Sequence, residues 1–213
     1  MLHTYIFIVK KLKKMTSKST LENLSPKEAL QKLIEGNQRF LEEKKINRDF
    51  IQEIQSTSIK QFPFAIILGC IDSRVPIEHM FDQGIGDLFI TRIAGNFENE
   101  DSIASMEYAC KIVGSKVIMV LGHQDCGAIK AACDGVSIGH IAKLIAKLKP
   151  AIKQAKSLKN KNNINAIAKI NVNLTIQRIR KKSEILRTLE EDKKIQIVGA
   201  YYEVSTGKIS LLE

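Results

Sequence analysis

Residues 117–133 read VIMVLGHQDCGAIKAAC: an apolar run (Val117–Leu121), a glycine, a histidine, a short polar turn, and then the helical pattern Ala128–Cys133. A run that is apolar at every position, without alternation, is a strand buried on both faces, and such strands belong to parallel sheets covered by helices on both sides. Earlier in the chain FAIILGCIDSR, residues 64–74, has the same form, with the run Phe64–Leu68 followed by Gly69 and Cys70. Leu88–Thr91 and Ile195–Ala200 are two further runs of this kind. Helical spacing separates them, in Ser102–Val113, Ile141–Leu148 and Ile164–Ile179, and Ser183 caps a short helix through Leu189. The expected fold class is therefore α/β, with a mainly parallel four-stranded sheet and helices on both faces. After Gly207 the segment KISLL adds an antiparallel edge strand to the last of these.

The 213 residues, 44% of them hydrophobic, suit one domain, and no Pro-rich or Ser-rich linker divides them. Ser25-Pro26-Lys27-Glu28 starts a helix, with Ser as N-cap, Pro at the first helical position and Glu closing a capping box. Leu30, Leu33, Ile34, Phe40 and Leu41 then form an apolar stripe over residues 26–41, an N-terminal helical arm. Residues 1–24 are expected as a disordered extension and residues 25–213 as the one folded domain. In MLHTYIFIVKKLKKM the lysines follow the short apolar stretch and no small-residue cleavage site precedes Met15, which argues against a secretory signal. The stretch is also too short to span a bilayer, so no membrane partner is expected.

The net charge of +10 raises the question of nucleic acid. The lysines concentrate at 10–18, 143–161 and 178–194, on helix-like segments without interleaved aromatics, and there is no Trp. That pattern is a set of solvated helix faces, and no nucleic-acid partner is expected. Four cysteines without disulfide-rich spacing point to a reducing compartment, the cytoplasm, and to metal or catalytic use.

Sites in parallel α/β sheets form where strands end at their carboxyl side. Cys70 and His123 both follow such ends, and Cys126 lies on the turn after His123. If the two strands are neighbours, the three side chains converge. Two thiolates and an imidazole match zinc with one coordination position open. Asp72 and Arg74 lie close by: Asp72 accepts a hydrogen bond from a metal-bound hydroxide or binds the metal itself, and Arg74 holds it ionised and oriented. Cys110 and Cys133 sit within helical patterns and are read as packed thiols.

The motifs CIDSR and HQDCGA resemble those of the β-class carbonic anhydrases, Cys-x-Asp-x-Arg and His-x-x-Cys-Gly. The likeness continues through VPIEHMFDQGIGDLFITRIAGN, SMEYA and IVGAYYEVSTGKI, covering roughly residues 25 to 211. The resemblance implies one Zn2+ per chain on Cys70, His123 and Cys126, with Asp72 and Arg74 as the active-site dyad and Asp72 on the metal only in a closed state. It also implies that Gln61 and Tyr108 line a carbon dioxide pocket. The chain would form a homodimer or homotetramer, through the helical arm and an extension of the sheet. Some bacterial members carry a regulatory bicarbonate site of Trp, Arg and Tyr. Arg92 and Tyr202 match two of these positions, but Ile67 stands where the Trp would be.

The implied activity is the zinc-dependent, reversible hydration of carbon dioxide to bicarbonate and a proton. Hydrolysis of carbonyl sulfide or carbon disulfide on the same fold is a second enzymatic reading. A noncatalytic binder of nucleic acid or an acidic partner, with a structural zinc closed by four protein ligands, is a third.

Overall fold

The apolar runs form strands β1 Ala65–Gly69, β2 Leu88–Arg92, β3 Val117–His123 and β4 Gln196–Tyr202, with β5 Ile209–Leu212 closing the chain. They make one sheet in the order β2-β1-β3-β4-β5, with the first four strands parallel and β5 antiparallel to β4. The structure, a computed structural model, describes residues 17–158 and 163–213. The N-terminal stretch Met1–Met15 therefore lies outside the described residues. Strand β3 runs past its apolar core to His123, because pairing with β4 continues to His123↔Tyr202.

Ten α-helices are described: α1 Lys18–Asn23, α2 Pro26–Leu41, α3 Phe50–Thr57, α4 Ile77–Met80, α5 Glu100–Glu107, α6 Gly127–Cys133, α7 Gly139–Ala146, α8 Lys149–Ser157, α9 Ile164–Lys182 and α10 Glu184–Glu191. A π-helical turn, Tyr108–Val113, extends α5, so the segment expected as one helix changes its winding midway. Ser25 caps α2 with the expected capping box, and Ser183 caps α10. Successive strand residues point to opposite faces. Ile67, Met119 and Leu121 pack with α1, α2 and α4 on one side. Ile66, Leu68, Ile118 and Val120 pack with α5, α9 and α10 on the other.

Helix α2 lies against its own chain. Leu30 and Leu33 are buried there, each worth about 1.5–3 kcal/mol when fully buried, while Ile34 and Leu41 remain exposed. Only part of the apolar stripe is thus left for any neighbour. Helix α1, with Leu21 buried, falls within the stretch expected as an extension. Helix α8 runs through Ser157.

Helix α9 crosses β3 and β4 closely. A Cβ at Gly122 would lie 2.7 Å from the Val172 side chain, and one at Gly199 2.8 Å from it. Glycine at both positions lets the helix sit down on the sheet. Together with α6, α7 and α8 it walls a third apolar cluster at the carboxyl edge, which includes Cys70, Cys126, Ile129, Leu148 and Ala168.

Candidate metal centre

Because β1 and β3 are adjacent and parallel, their carboxyl ends bring Cys70 and His123 side by side. Cys126 returns to the same point through a tight turn in which Asp125 takes φ 52. One ligand atom from each of Cys70, His123 and Cys126 lies within 4.8 Å of the others, and all three residues are buried. Among the described residues this is the one such group of three or more, and it has no fourth protein ligand.

The histidine is prepared as a ligand. Its Nδ1 is 2.9 Å from the Gln124 carbonyl oxygen, which can only accept, so Nδ1 carries the hydrogen. Nε2 is then left with its lone pair, is fully buried, and has no protein partner. A buried unpartnered nitrogen beside two thiols is the donor set of a soft or borderline cation.

The thiols behave as a coupled pair. The hydrogen bond from Cys126 pulls the Cys70 thiol well below its ordinary range, against the opposing effect of burial. The same bond, with burial added, pushes Cys126 up. These are two views of one shared proton. Two adjacent thiolates need a cation between them, and metal binding releases that proton. The Cys70 sulfur also accepts the Gly95 N–H at 3.4 Å. Cys126 accepts N–H groups of Ala128 and Ile129 at the start of α6.

Asp72 stands beside this set, its Oδ2 4.0 Å from His123 Nε2. Arg74 grips it as a fork, Nε to Oδ1 at 3.0 Å and Nη2 to Oδ2 at 2.9 Å, while the Arg74 backbone N–H donates to Oδ1 at 2.9 Å. Hydrogen bonding from Arg74 holds the Asp72 carboxyl down at about 2. The carboxylate is on Arg74 in this structure and is not one of the three clustered ligands. Arg74 Nη2 reaches the Asp125 carbonyl at 3.2 Å, which ties the dyad to the ligand turn.

Arg92 does something that the sequence did not disclose. Its Nε donates to the Cys70 carbonyl and its Nη2 to the Asp72 carbonyl, each at 2.7 Å. It clamps the loop that carries both residues. From α9, Asn165 accepts the Asp125 N–H at 2.9 Å and Asn171 donates to the Gly95 carbonyl at 2.8 Å. No short motif signals these contacts, since their acceptors and donors are largely backbone groups.

Gln61 and Tyr108 are not brought to the ligands of their own chain. Gln61 is exposed ahead of β1, at the amino edge of the sheet. Five residues of strand, about 16 Å, separate that edge from Cys70. Tyr108, 54% exposed, has its ring 6.3 Å from that of Phe89 and borders a cleft with Ile66 and Ile90 beside edge strand β2. Cys110 is a packed thiol as expected, raised to about 12 by burial, whereas Cys133 is only half-buried.

Comparison with known proteins agrees with this arrangement. A family model described as carbonic anhydrase matches residues 65–209. The carbonic anhydrase of Mycolicibacterium smegmatis is 29% identical over 197 residues, covering 90% of this chain and 95% of that protein. The carbonic anhydrase of Pseudomonas aeruginosa is 27% identical over 175 residues, 76% of this chain and 79% of that one. In fold, the chain is similar to the β-carbonic anhydrase CafA of Aspergillus fumigatus, with TM-score 0.70 and 22% identity over 76% of this chain and 81% of that one. It is also similar to one of two tetrameric β-carbonic anhydrases of Sordaria macrospora, with TM-score 0.68 and 22% identity over 76% and 89%. With a parallel sheet that delivers Cys70, His123 and Cys126 to one edge, and a family match spanning well over half its length, the chain belongs to the β-class carbonic anhydrases, a family of carbonate dehydratases.

Proposed function

We propose that this chain hydrates carbon dioxide reversibly to bicarbonate and a proton, with one zinc ion per chain held by Cys70, His123 and Cys126. The observation that carries this reading is the buried Cys-His-Cys cluster with the Asp72–Arg74 fork at its rim. Two thiolates and one neutral imidazole satisfy three positions of a tetrahedral zinc and leave the fourth for chemistry. Zinc bound there supplies Lewis acidity and brings the ionisation of a water molecule into the neutral range.

The chain's own residues then orient the attacking oxygen. Asp72 Oδ2 takes one bond from Arg74 and has lone-pair capacity towards His123 Nε2, so it accepts a hydrogen bond from the remaining hydrogen of the attacking oxygen, which stays on that oxygen. That directs the oxygen's lone pair at the substrate carbon. As the carbon–oxygen bond forms, one π pair of carbon dioxide moves onto its oxygen, and the products are bicarbonate and a proton released to buffer. Arg74 keeps Asp72 ionised and fixes its plane, so little reorganisation accompanies the step.

Gln61 and Tyr108 are proposed to line the carbon dioxide pocket of a second subunit. Both are exposed, and both are remote from the ligands of their own chain. Directly before Gln61, helix α3 has no buried residue and shows Phe50, Ile51 and Ile54 to solvent. An apolar face of this kind, together with the tetrameric relative, supports a homodimer or homotetramer. Four cysteines without a disulfide support a cytoplasmic site of action.

Stopped-flow hydration of carbon dioxide, on protein whose zinc content has been measured, tests the proposal. Stoichiometric zinc without hydration above the buffer rate would reject it.

A further inference from the structure

We propose that Asn171 is a positioning residue for the metal centre: from α9 it holds the Gly95 carbonyl, and so aims the Gly95 N–H at the Cys70 sulfur. This rests on the reading of Cys70 as a zinc ligand.

Cys70 lies in loop just after β1 and depends on its surroundings for its orientation. Its sulfur accepts the Gly95 N–H at 3.4 Å. Gly95 belongs to the loop that follows β2 and has φ +82, a conformation that favours glycine. Its N–H and its C=O sit on the two peptide planes that meet at its Cα. Glycine is the residue least able to keep those planes in a set relation by itself, so a tether on one plane steers the other. Two tethers exist. A Cβ on Gly95 would stand 3.0 Å from Leu148, so the loop is backed by that side chain. On the carbonyl side, Asn171 Nδ2 donates at 2.8 Å.

Asn171 is fully buried on a helix whose neighbouring buried positions include Val172, Ile176 and Ile179. An apolar residue would serve packing there without the desolvation that a primary amide suffers. The bond to Gly95 offsets the amide-nitrogen part of that cost, while Oδ1 has no hydrogen-bond partner among the described residues, and the bond leads in one further step to the metal ligand. Groups that orient a ligand from behind are typically worth about 10–100-fold in metal affinity or activity.

The test compares Asn171→Ala and Asn171→Asp with wild type and with Thr175→Val. Thr175 is equally buried one turn along α9, but its hydroxyl accepts from Arg178 and does not lead to Cys70. Zinc affinity is measured by competition with a chromophoric chelator, and ligand geometry from the sulfur-to-metal charge-transfer bands of the cobalt-substituted proteins. Both Asn171 variants should bind zinc about tenfold or more weakly and should shift the cobalt spectrum. Thr175→Val should melt earlier while keeping wild-type affinity and spectrum. Asn171 variants equal to wild type in both readouts, or a Thr175→Val that moves them as far, would overturn the proposal. Should neither Asn171 variant fold, amide exchange in the zinc-loaded wild type decides. A protected Gly95 N–H supports the proposal, and exchange at the rate of an open loop overturns it. A wild type that takes up no zinc overturns the metal reading and this proposal with it; a zinc-binding wild type with unaltered variants overturns this proposal alone.

Discussion

Asp72 receives three hydrogen bonds from a residue only two positions away, and this local grip has a consequence for pH. Its folded-state carboxyl titrates at about 2, below the ordinary 3.8, so the stability it contributes is present above the unfolded value and is lost as pH falls through about 2. Between pH 6 and 9 it stays ionised, so any change of activity there comes from another group. Asp72→Asn should therefore lower hydration on the order of 100-fold at every pH in that range while zinc content by elemental analysis stays at the wild-type level. Wild-type turnover in that variant would remove the dyad from the mechanism. Ile67 carries the second prediction at this scale. It is fully buried in β1 and its side chain has no N–H for an anion, and Arg92, one of the two matching groups that remain, already spends its fork on the carbonyls of Cys70 and Asp72. Burying bicarbonate without the missing donor costs about 1–3 kcal/mol, roughly a ten- to hundredfold loss of affinity. Added bicarbonate should leave the shape of the pH–rate profile unchanged; a steep, cooperative loss below about pH 8, deepened by bicarbonate, would contradict this. The cysteines and the histidine were legible because apolar runs disclose where strands end. Arg92 as a clamp, Asn171 and Gly95 were not, because an arginine bonded to carbonyls looks like any arginine, and Asn171 meets Gly95 across 76 positions of chain.

Among the elements, α2 shows how a capped helix finds its place. Its first turn was readable from Ser25, Pro26 and Glu28, since capping is local chemistry. Its docking was not, since that depends on Asn37, which donates to the carbonyls of Met80 and Gly207 and accepts the Ile209 N–H. One buried amide thus joins α2 to α4 and to the start of β5. Asn37→Leu leaves three backbone groups without that partner, and should lower stability by about 3 kcal/mol in urea unfolding without changing zinc stoichiometry. A loss under about 1 kcal/mol would mean that the groups find other partners. Helix α3 escaped the periodicity reading because no core receives it; its sequence signal was the cap, Asp49 accepting the Gln52 N–H. The π-helical turn at Tyr108–Val113 was unreadable for another reason. The carbonyl of Ala109 takes N–H groups from both Gly114 and Ser115, a widening set by how the turn packs rather than by residue propensity.

In the whole molecule the sheet order followed from its parts: buried strands separated by helices leave few parallel arrangements, and the ligand pair at the ends of β1 and β3 requires those two to be neighbours. What a single chain cannot disclose is a pocket built from two. Gln61 at the amino edge and Cys70 at the carboxyl edge cannot serve one site within one subunit, so the proposed pocket needs a second copy, and a symmetric pair gives each subunit what it lends. The prediction is complementation. Gln61→Ala keeps its ligands but spoils the pocket it lends, and Cys126→Ser loses its metal but lends an intact Gln61. Each should be weak alone. After subunit exchange, a mixed pair has one complete site, made of the Gln61→Ala chain's metal and the other chain's Gln61. Random pairing makes half the pairs mixed, so equimolar mixing should restore about one quarter of wild-type activity. Native mass spectrometry establishes that mixed pairs have formed. Mixed pairs whose activity only equals the sum of the separate variants would place Gln61 outside the pocket, and sedimentation showing a 23.9 kDa species alone would remove the second subunit altogether.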